Sequence, residues 1–223
     1  MGGTILTTRL AIEKGIALNT AGGTHHAFPE FGSGFCIFND FAIALRQLQD
    51  EGRIKQGLIL DLDVHQGDGS AYIFAGDPSV FTCSIHCEKN FPNRKQRSDL
   101  DIPLPENTGD RDYLRVLEQT LENLFQQIQP DLICYNAGTD PHHQDLLGKL
   151  QLTDEGIYQR DFTVLQACQQ RNIPVACVIG GGYGKDIKAL INRHSFLFQA
   201  AYEIYISEDE GKVDSIQLTQ SIN

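Results

Sequence analysis

The hydrophobic positions change period several times along the chain, and the changes outline alternating helices and strands. From residue 4 to 14 the apolar side chains Ile5, Leu6, Leu10, Ala11 and Ile12 recur at helical spacing, and Gly15 stops the run. Ile16–Leu18 reads as a short strand, followed by a polar loop from Asn19 to Ala27. The next helix opens at Asn39 or Asp40, either of which can cap it, with Ala42, Ile43, Leu45 and Leu48 on one face. Leu58–Leu60 reads as a strand, 70–74 as a short helix and Val80–His86 as another strand. Amphipathic helices follow over 110–129, stopped by Pro130, and over 153–170, opened by Thr153. Strands are expected at 131–135 and 174–179, and a last helix at 187–206. The stretch 88–108, with Pro92, Pro103 and Pro105, reads as a long ordered loop with little regular structure. From Ser207 the chain is a polar tail, which leaves residues 1–206 as one expected domain.

This alternation predicts an α/β fold: a three-layer, open, mainly parallel sheet with helices on both faces. In such sheets the working groups gather outside the carboxyl ends of the strands, and the chain carries its unusual residues there. GLILDLDVHQGDG, residues 57–69, passes from Leu58-Ile59-Leu60 to Asp61, Asp63 and His65, and then to Asp68. If the strand runs on through His65, its period of two puts Asp61, Asp63 and His65 on one side. Other strand ends lead to His25-His26, to Asp140, and to Tyr183 within Gly180–Gly184. Each has a plainer reading. A histidine pair in a glycine loop is commonly surface, Asp140 before Pro141 can start a turn, and Gly180–Gly184 can cradle a phosphate or admit a helix. A single parallel sheet brings all four to a common rim, where they make chemical sense together. Asp63, His65 and Asp140 form a three-ligand set open to water and substrate, the pattern of catalytic zinc, although carboxylate-rich sites also take iron(II). His25 and His26 suit general base and acid roles, Asp61 and Asp68 suit orienting carboxylates, and the Tyr183 phenol suits an oxyanion donor. The reaction implied is metal-assisted amide hydrolysis.

Charge and cysteine usage narrow the setting. A net charge of −11 argues against nucleic acid or an anionic membrane as the main partner. No apolar run is long enough to span a bilayer, and the start, MGGTILTTRLAIEKG, lacks the uninterrupted apolar core of a signal peptide. Cys36, Cys83, Cys87, Cys134, Cys168 and Cys177 include no C-x-x-C pair, which fits buried reduced thiols and a cytoplasmic location. The cluster Arg94-Lys95-Gln96-Arg97 reads as solvated loop charge.

In this order, GGTHHAFPEFGSGFCIFND, DLDVHQGDG, YNAGTD and GGGYG resemble the histone deacetylase family of the arginase/deacetylase fold. The details GSGFC, DVHQGDG and NAGTD are most similar to class IV-like and bacterial members, and the resemblance covers about residues 3–206. It implies a zinc-dependent deacylase acting on a lysine-like amine of a protein or peptide. It implies Asp63, His65 and Asp140 as the metal ligands, His25 and His26 as the catalytic pair partnered by Asp61 and Asp68, and Tyr183 as the carbonyl-polarising tyrosine. Gly34, Phe35, Phe91 and Leu147 would line a narrow channel for the acyl-lysine stem. A structural potassium ion would map to Asp61, Asp63 and His65, with Ser84 and Ile85. Family members carry a further segment ahead of the Gly-Gly-Thr helix, which supplies a first strand and part of the pocket rim; the present sequence starts at that helix. Two alternatives accompany this reading: a catalytically silent binding scaffold, and a hydrolase of small acylated amines such as acetylated polyamines.

Overall fold

Helices and strands alternate through residues 1–206, the part that the structure, a computed structural model, describes; the expected tail 207–223 lies outside the described residues. In chain order the elements are α1 (Gly2–Lys14), β1 (Ile16–Asn19), α2 (Asp40–Asp50), β2 (Gly57–Asp61), α3 (Asp68–Ile73) and β3 (Val80–Cys87). There follow β4 (Leu100–Leu104), α4 (Asp110–Gln127), β5 (Leu132–Asn136), α5 (Asp154–Gln170), β6 (Val175–Val178) and α6 (Ile187–Tyr205). The helix ends have local causes. Gly15 takes φ 85°, a left-handed backbone that costs glycine nothing, and its N–H donates to Ala11 O at 2.8 Å to close α1. Asn39 rather than Asp40 caps α2, accepting from the Ala42 N–H at 3.0 Å, and Thr153 caps α5 in the same way.

The six strands lie in the order β1-β6-β5-β2-β3-β4, and every pairing is parallel. Side chains of β2 alternate between the two faces, so its apolar run serves both. Leu58 and Leu60, with Ile133 and Tyr135 of β5, pack against Leu117 and Leu124 of α4, Val164 and Leu165 of α5 and Leu197 of α6. Ile59, Cys134, Ala176 and Val178 face the other way, toward Ala11 of α1 and Phe41, Leu45 and Leu48 of α2. Helices therefore cover both faces, the three layers that the hydrophobic pattern predicts.

One expectation fails here. The stretch 88–108 is not all loop, because β4 pairs with β3 from Cys83↔Leu100 to Cys87↔Leu104. Its sequence, Leu-Asp-Ile-Pro-Leu, has little strand propensity; an outer strand tolerates Pro103, and pairing to β3 imposes the extended form. Ahead of β4 in the same stretch, Arg94 and Arg97 are exposed, as solvated loop charge would be, while the Lys95 Nζ donates to Asn90 O and Pro92 O at 2.6 and 2.7 Å. All six cysteines are free and buried. Among the described residues no helix is long and apolar enough to cross a membrane.

Candidate active site

The β2 strand stops at Asp61, so the condition for a period of two through His65 is not met. Beyond it the chain is turned by carboxylates. The Asp63 N–H donates to Asp61 Oδ1 at 3.2 Å, the Val64 N–H to Asp140 Oδ1 at 2.8 Å, and the His65 N–H to Asp63 Oδ1 at 2.9 Å. Asp140 arrives on the loop after β5, and the glycine loop after β6 closes over it. The Gly181 N–H donates to Asp63 Oδ2 at 2.9 Å, and a Cβ on Gly181 would stand 2.3 Å from Asp140 Oδ2. Only a residue without a side chain fits that close to both carboxylates.

Asp63, His65 and Asp140 are all buried, and one ligand atom from each lies within 4.8 Å of the others. The His65 Nδ1 sits 3.0 Å from Asp63 Oδ1 and 3.1 Å from Asp140 Oδ2. Burial opposes a charge on His65, but its bonds to Asp140 and Asp63 outweigh burial and raise the imidazole to about 10. Burial and the neighbouring Asp63 raise the Asp140 carboxyl, while His25 and His65 overcome burial and lower that of Asp63. Two carboxylates thus compete for one proton on one imidazole. A divalent cation satisfies the same three atoms better, and the donor set fits one.

His25 and His26 stand beside this set, each tied to its own aspartate. His25 Nδ1 is 2.5 Å from Asp61 Oδ2, and His26 Nδ1 is 2.6 Å from Asp68 Oδ1, the first residue of α3. The two imidazoles shift in opposite directions. Burial is outweighed at His25 by Asp61 and Asp63, which raise it to about 9; at His26, burial and the adjacent His25 lower it. Residues that the motifs leave anonymous hold the pairs in place. Asp40 accepts from the Gly23 and Thr24 N–H groups and the Thr4 and Thr24 hydroxyls, fixing the loop that leads to His25. Asn136 donates to Asp61 Oδ1 at 3.0 Å. Asp145 accepts from the Tyr183 N–H at 2.6 Å and from Leu147 and Gly148. Asp40 lies in the Phe-Asn-Asp triplet that the sequence reads only as a cap, and Asp145 carries no sequence signal.

A cavity of about 470 Å³ opens onto this cluster, lined by His26, His65 and Tyr183 with Gly34, Phe35, Phe91 and Leu147. Phe91 meets the His26 ring edge-on at 4.9 Å. Burial, together with Asp63 and Asp140, pushes the Tyr183 phenol above its ordinary range, so it remains a donor at neutral pH. Lys89 and Lys149 also line the cavity, sharing Glu106 at 3.5 and 3.0 Å. Ser84 pairs with Asp61 in the sheet, which puts two of the five residues expected around potassium side by side, and its hydroxyl lies 2.9 Å from His86 Nδ1.

Every residue singled out in the sequence for chemistry therefore lies at one end of the sheet. Comparison with known proteins gives this arrangement a lineage. The chain is 58 % identical over 205 residues to an uncharacterized protein of Picosynechococcus sp., covering 92 % of this chain and 68 % of that one. It is 36 % identical over 194 residues to Histone deacetylase 2 of Arabidopsis thaliana, covering 86 % and 50 %. A crystal structure of an HDAC homolog complexed with SAHA superposes with a TM-score of 0.74 at 28 % identity, covering 91 % of this chain and 56 % of that one. The chain thus spans about half the length of the named deacetylase and of the solved homologue. The six-stranded parallel sheet with its helices is the deacetylase fold. Because the histone deacetylase domain profile matches residues 1–196, nearly the whole described sheet and its rim, the chain belongs to the histone deacetylase family.

Proposed function

We propose that the chain hydrolyses the amide of an N-acyl-lysine side chain, with zinc or another divalent cation held by Asp63, His65 and Asp140. The observation that carries this reading is the convergence, at the foot of one cavity, of that donor set with two histidine–aspartate pairs and a protonated phenol. The cation, when bound, polarises the acyl carbonyl and lowers the pKa of water. Gly34, Phe35, Phe91 and Leu147 receive the apolar stem of the lysine. His26, neutral and with its Nδ1–H directed at Asp68, takes a proton from the attacking water at Nε2. As the C–N bond breaks, the same proton passes to the departing amine. His25, charged against Asp61, stabilises the negative charge that develops beside it, and the Tyr183 phenol donates to the carbonyl oxygen.

Lys89 and Lys149 favour an acyl-lysine in a polypeptide over a small acylated polyamine. A polyamine would present its distal ammonium to two lysines that share one carboxylate, Glu106. The test is zinc content and turnover of the purified chain. Stoichiometric zinc with hydrolysis of an acetyl-lysine peptide, abolished by a chelator and restored by zinc, supports the proposal. Stoichiometric zinc without turnover favours a silent scaffold, and faster turnover of acetylated polyamines than of peptides overturns the substrate reading.

A further inference from the structure

A buried guanidinium lies behind the loops that carry the candidate ligands, and the proposed chemistry does not use it. Arg160, on α5, is fully buried. Its Nη1 donates to Leu62 O at 3.3 Å and to Gly138 O at 2.5 Å, and its Nη2 to Ala137 O at 3.3 Å. Leu62 separates Asp61 from Asp63, while Ala137 and Gly138 lead through Thr139 to Asp140. The two loops come from different strands, and both have left the sheet: β2 ends at Asp61 and β5 at Asn136. Just past the last ladder pairing, the loops' carbonyls turn to the same rigid fork.

The other edge of the fork is anchored. Asp161 Oδ1 accepts from Arg160 Nε at 2.9 Å, lies 2.8 Å from Nη2, and accepts from the Tyr135 hydroxyl at 2.5 Å. A buried ion pair is weak support for stability, since well-packed apolar residues often do as well. Reaching three backbone carbonyls on two loops is a different matter, because only a planar group with several fixed donors spans them.

We propose that Arg160 is a positioning residue: its guanidinium clamps the Leu62 peptide to the Ala137 and Gly138 peptides and so sets the distance between Asp63 and Asp140. The metal part of this inference rests on the ligand reading above; the clamp itself does not.

Three variants test it. Arg160→Met combined with Asp161→Leu removes the ion pair as a unit and leaves no uncompensated charge. Arg160→Lys keeps the charge and loses the fork. Tyr135→Phe loosens Asp161 but leaves the carbonyl contacts intact. Each is measured for zinc affinity by competition with a chelator, for amide hydrogen exchange of the metal-free protein over 61–65 and 137–142, and for melting temperature. Both Arg160 variants are expected to bind zinc about 10- to 100-fold more weakly and to exchange faster over the two segments. Tyr135→Phe is expected to melt earlier with wild-type zinc affinity and exchange. Wild-type affinity and exchange in the Arg160 variants, with only the melting temperature changed, would overturn the proposal and make the pair a purely structural one. If the double variant does not fold, Arg160→Lys decides on the same readouts. If the wild-type chain binds no zinc while the two segments still loosen in the variants, the metal reading falls and the clamp stands.

Discussion

Leu58, Ile59 and Leu60 of β2 are buried among apolar neighbours; a few residues on, Asp61, Asp63, His65 and Asp68 are nearly as buried and all ionisable. The first region stabilises the fold, by about 1.5–3 kcal/mol for each large side chain taken out of water. The second removes carboxylates and imidazoles from water, which costs free energy unless each finds a partner. At the rim each finds one, but the partners are one another, and His65 lies between two carboxylates. On the proposed function, the contrast marks where the chain gives up stability for chemistry. If it is right, substitutions in the two regions should have opposite signatures.

The largest effect is expected at the ligand set. Asp140→Ala should lower hydrolysis of an acyl-lysine peptide on the order of 10⁴-fold, while the metal-free protein melts no earlier than wild type. An Asp140→Ala protein that melts much earlier would merge the two regions into one. Next come the acid–base groups. His26→Ala should cost about 10²- to 10⁴-fold and Tyr183→Phe about 10²- to 10³-fold, in kcat rather than KM. A smaller loss for His25→Ala than for His26→Ala would sharpen the distinction between the neutral and the charged histidine.

Leu60→Ala is the complementary probe from the strand. It should cost about 2–5 kcal/mol in urea-induced unfolding, with kcat/KM of the folded protein unchanged. A loss of turnover without a loss of stability there would contradict the comparison.

The smallest effect lies where the regions meet. His194 of α6 approaches Thr139 at 3.4 Å, and burial together with Arg160 and Arg193 lowers its imidazole to about 4. Above pH 6.5 it is neutral whether the chain is folded or not. Between about 6.5 and 4 the unfolded chain takes up a proton that the native protein refuses, so stability falls as the pH drops through that window. His194→Gln should recover about 2 kcal/mol of that loss, measured as the difference in urea midpoints at pH 7 and pH 4.5. An unchanged difference would show that His194 titrates normally.

Much of this was legible in the chain. Apolar periodicity located α2, α4, α5 and α6 because each buries an apolar face, and five of the six strands from their apolar-rich runs; it located α1 too, although that helix buries Thr4, Thr7, Thr8 and Ala11 and leaves Leu6 and Leu10 exposed. β4 escaped because Asp101 and Pro103 say nothing of a strand until β3 lies beside them. His25, His26, Asp61, Asp63, His65, Asp68, Asp140 and Tyr183 stood out because their types are unusual at strand ends, whereas Gly34, Phe35, Phe91 and Leu147 came only from the family resemblance. Asp40, Asn136, Asp145 and Arg160 did not stand out, because a charged or amide side chain that bonds within the protein looks, in sequence, like one that bonds to water.

The sequence by itself determined the layered α/β architecture, the end of the sheet where the chemistry gathers, and the residue types available there. These follow from local periodicity and from side-chain chemistry, which need no long-range information. The tertiary structure alone decided the rest. It ended β2 at Asp61 and let carboxylate-to-backbone bonds fold Asp63 and His65 beside Asp140. It lowered His26 and raised His25, although the two are adjacent and chemically identical. It also turned an ordinary helical arginine toward two loops more than twenty residues away. Protonation and position both depend on which charges and carbonyls lie within a few ångströms, and those distances exist only once the chain has folded.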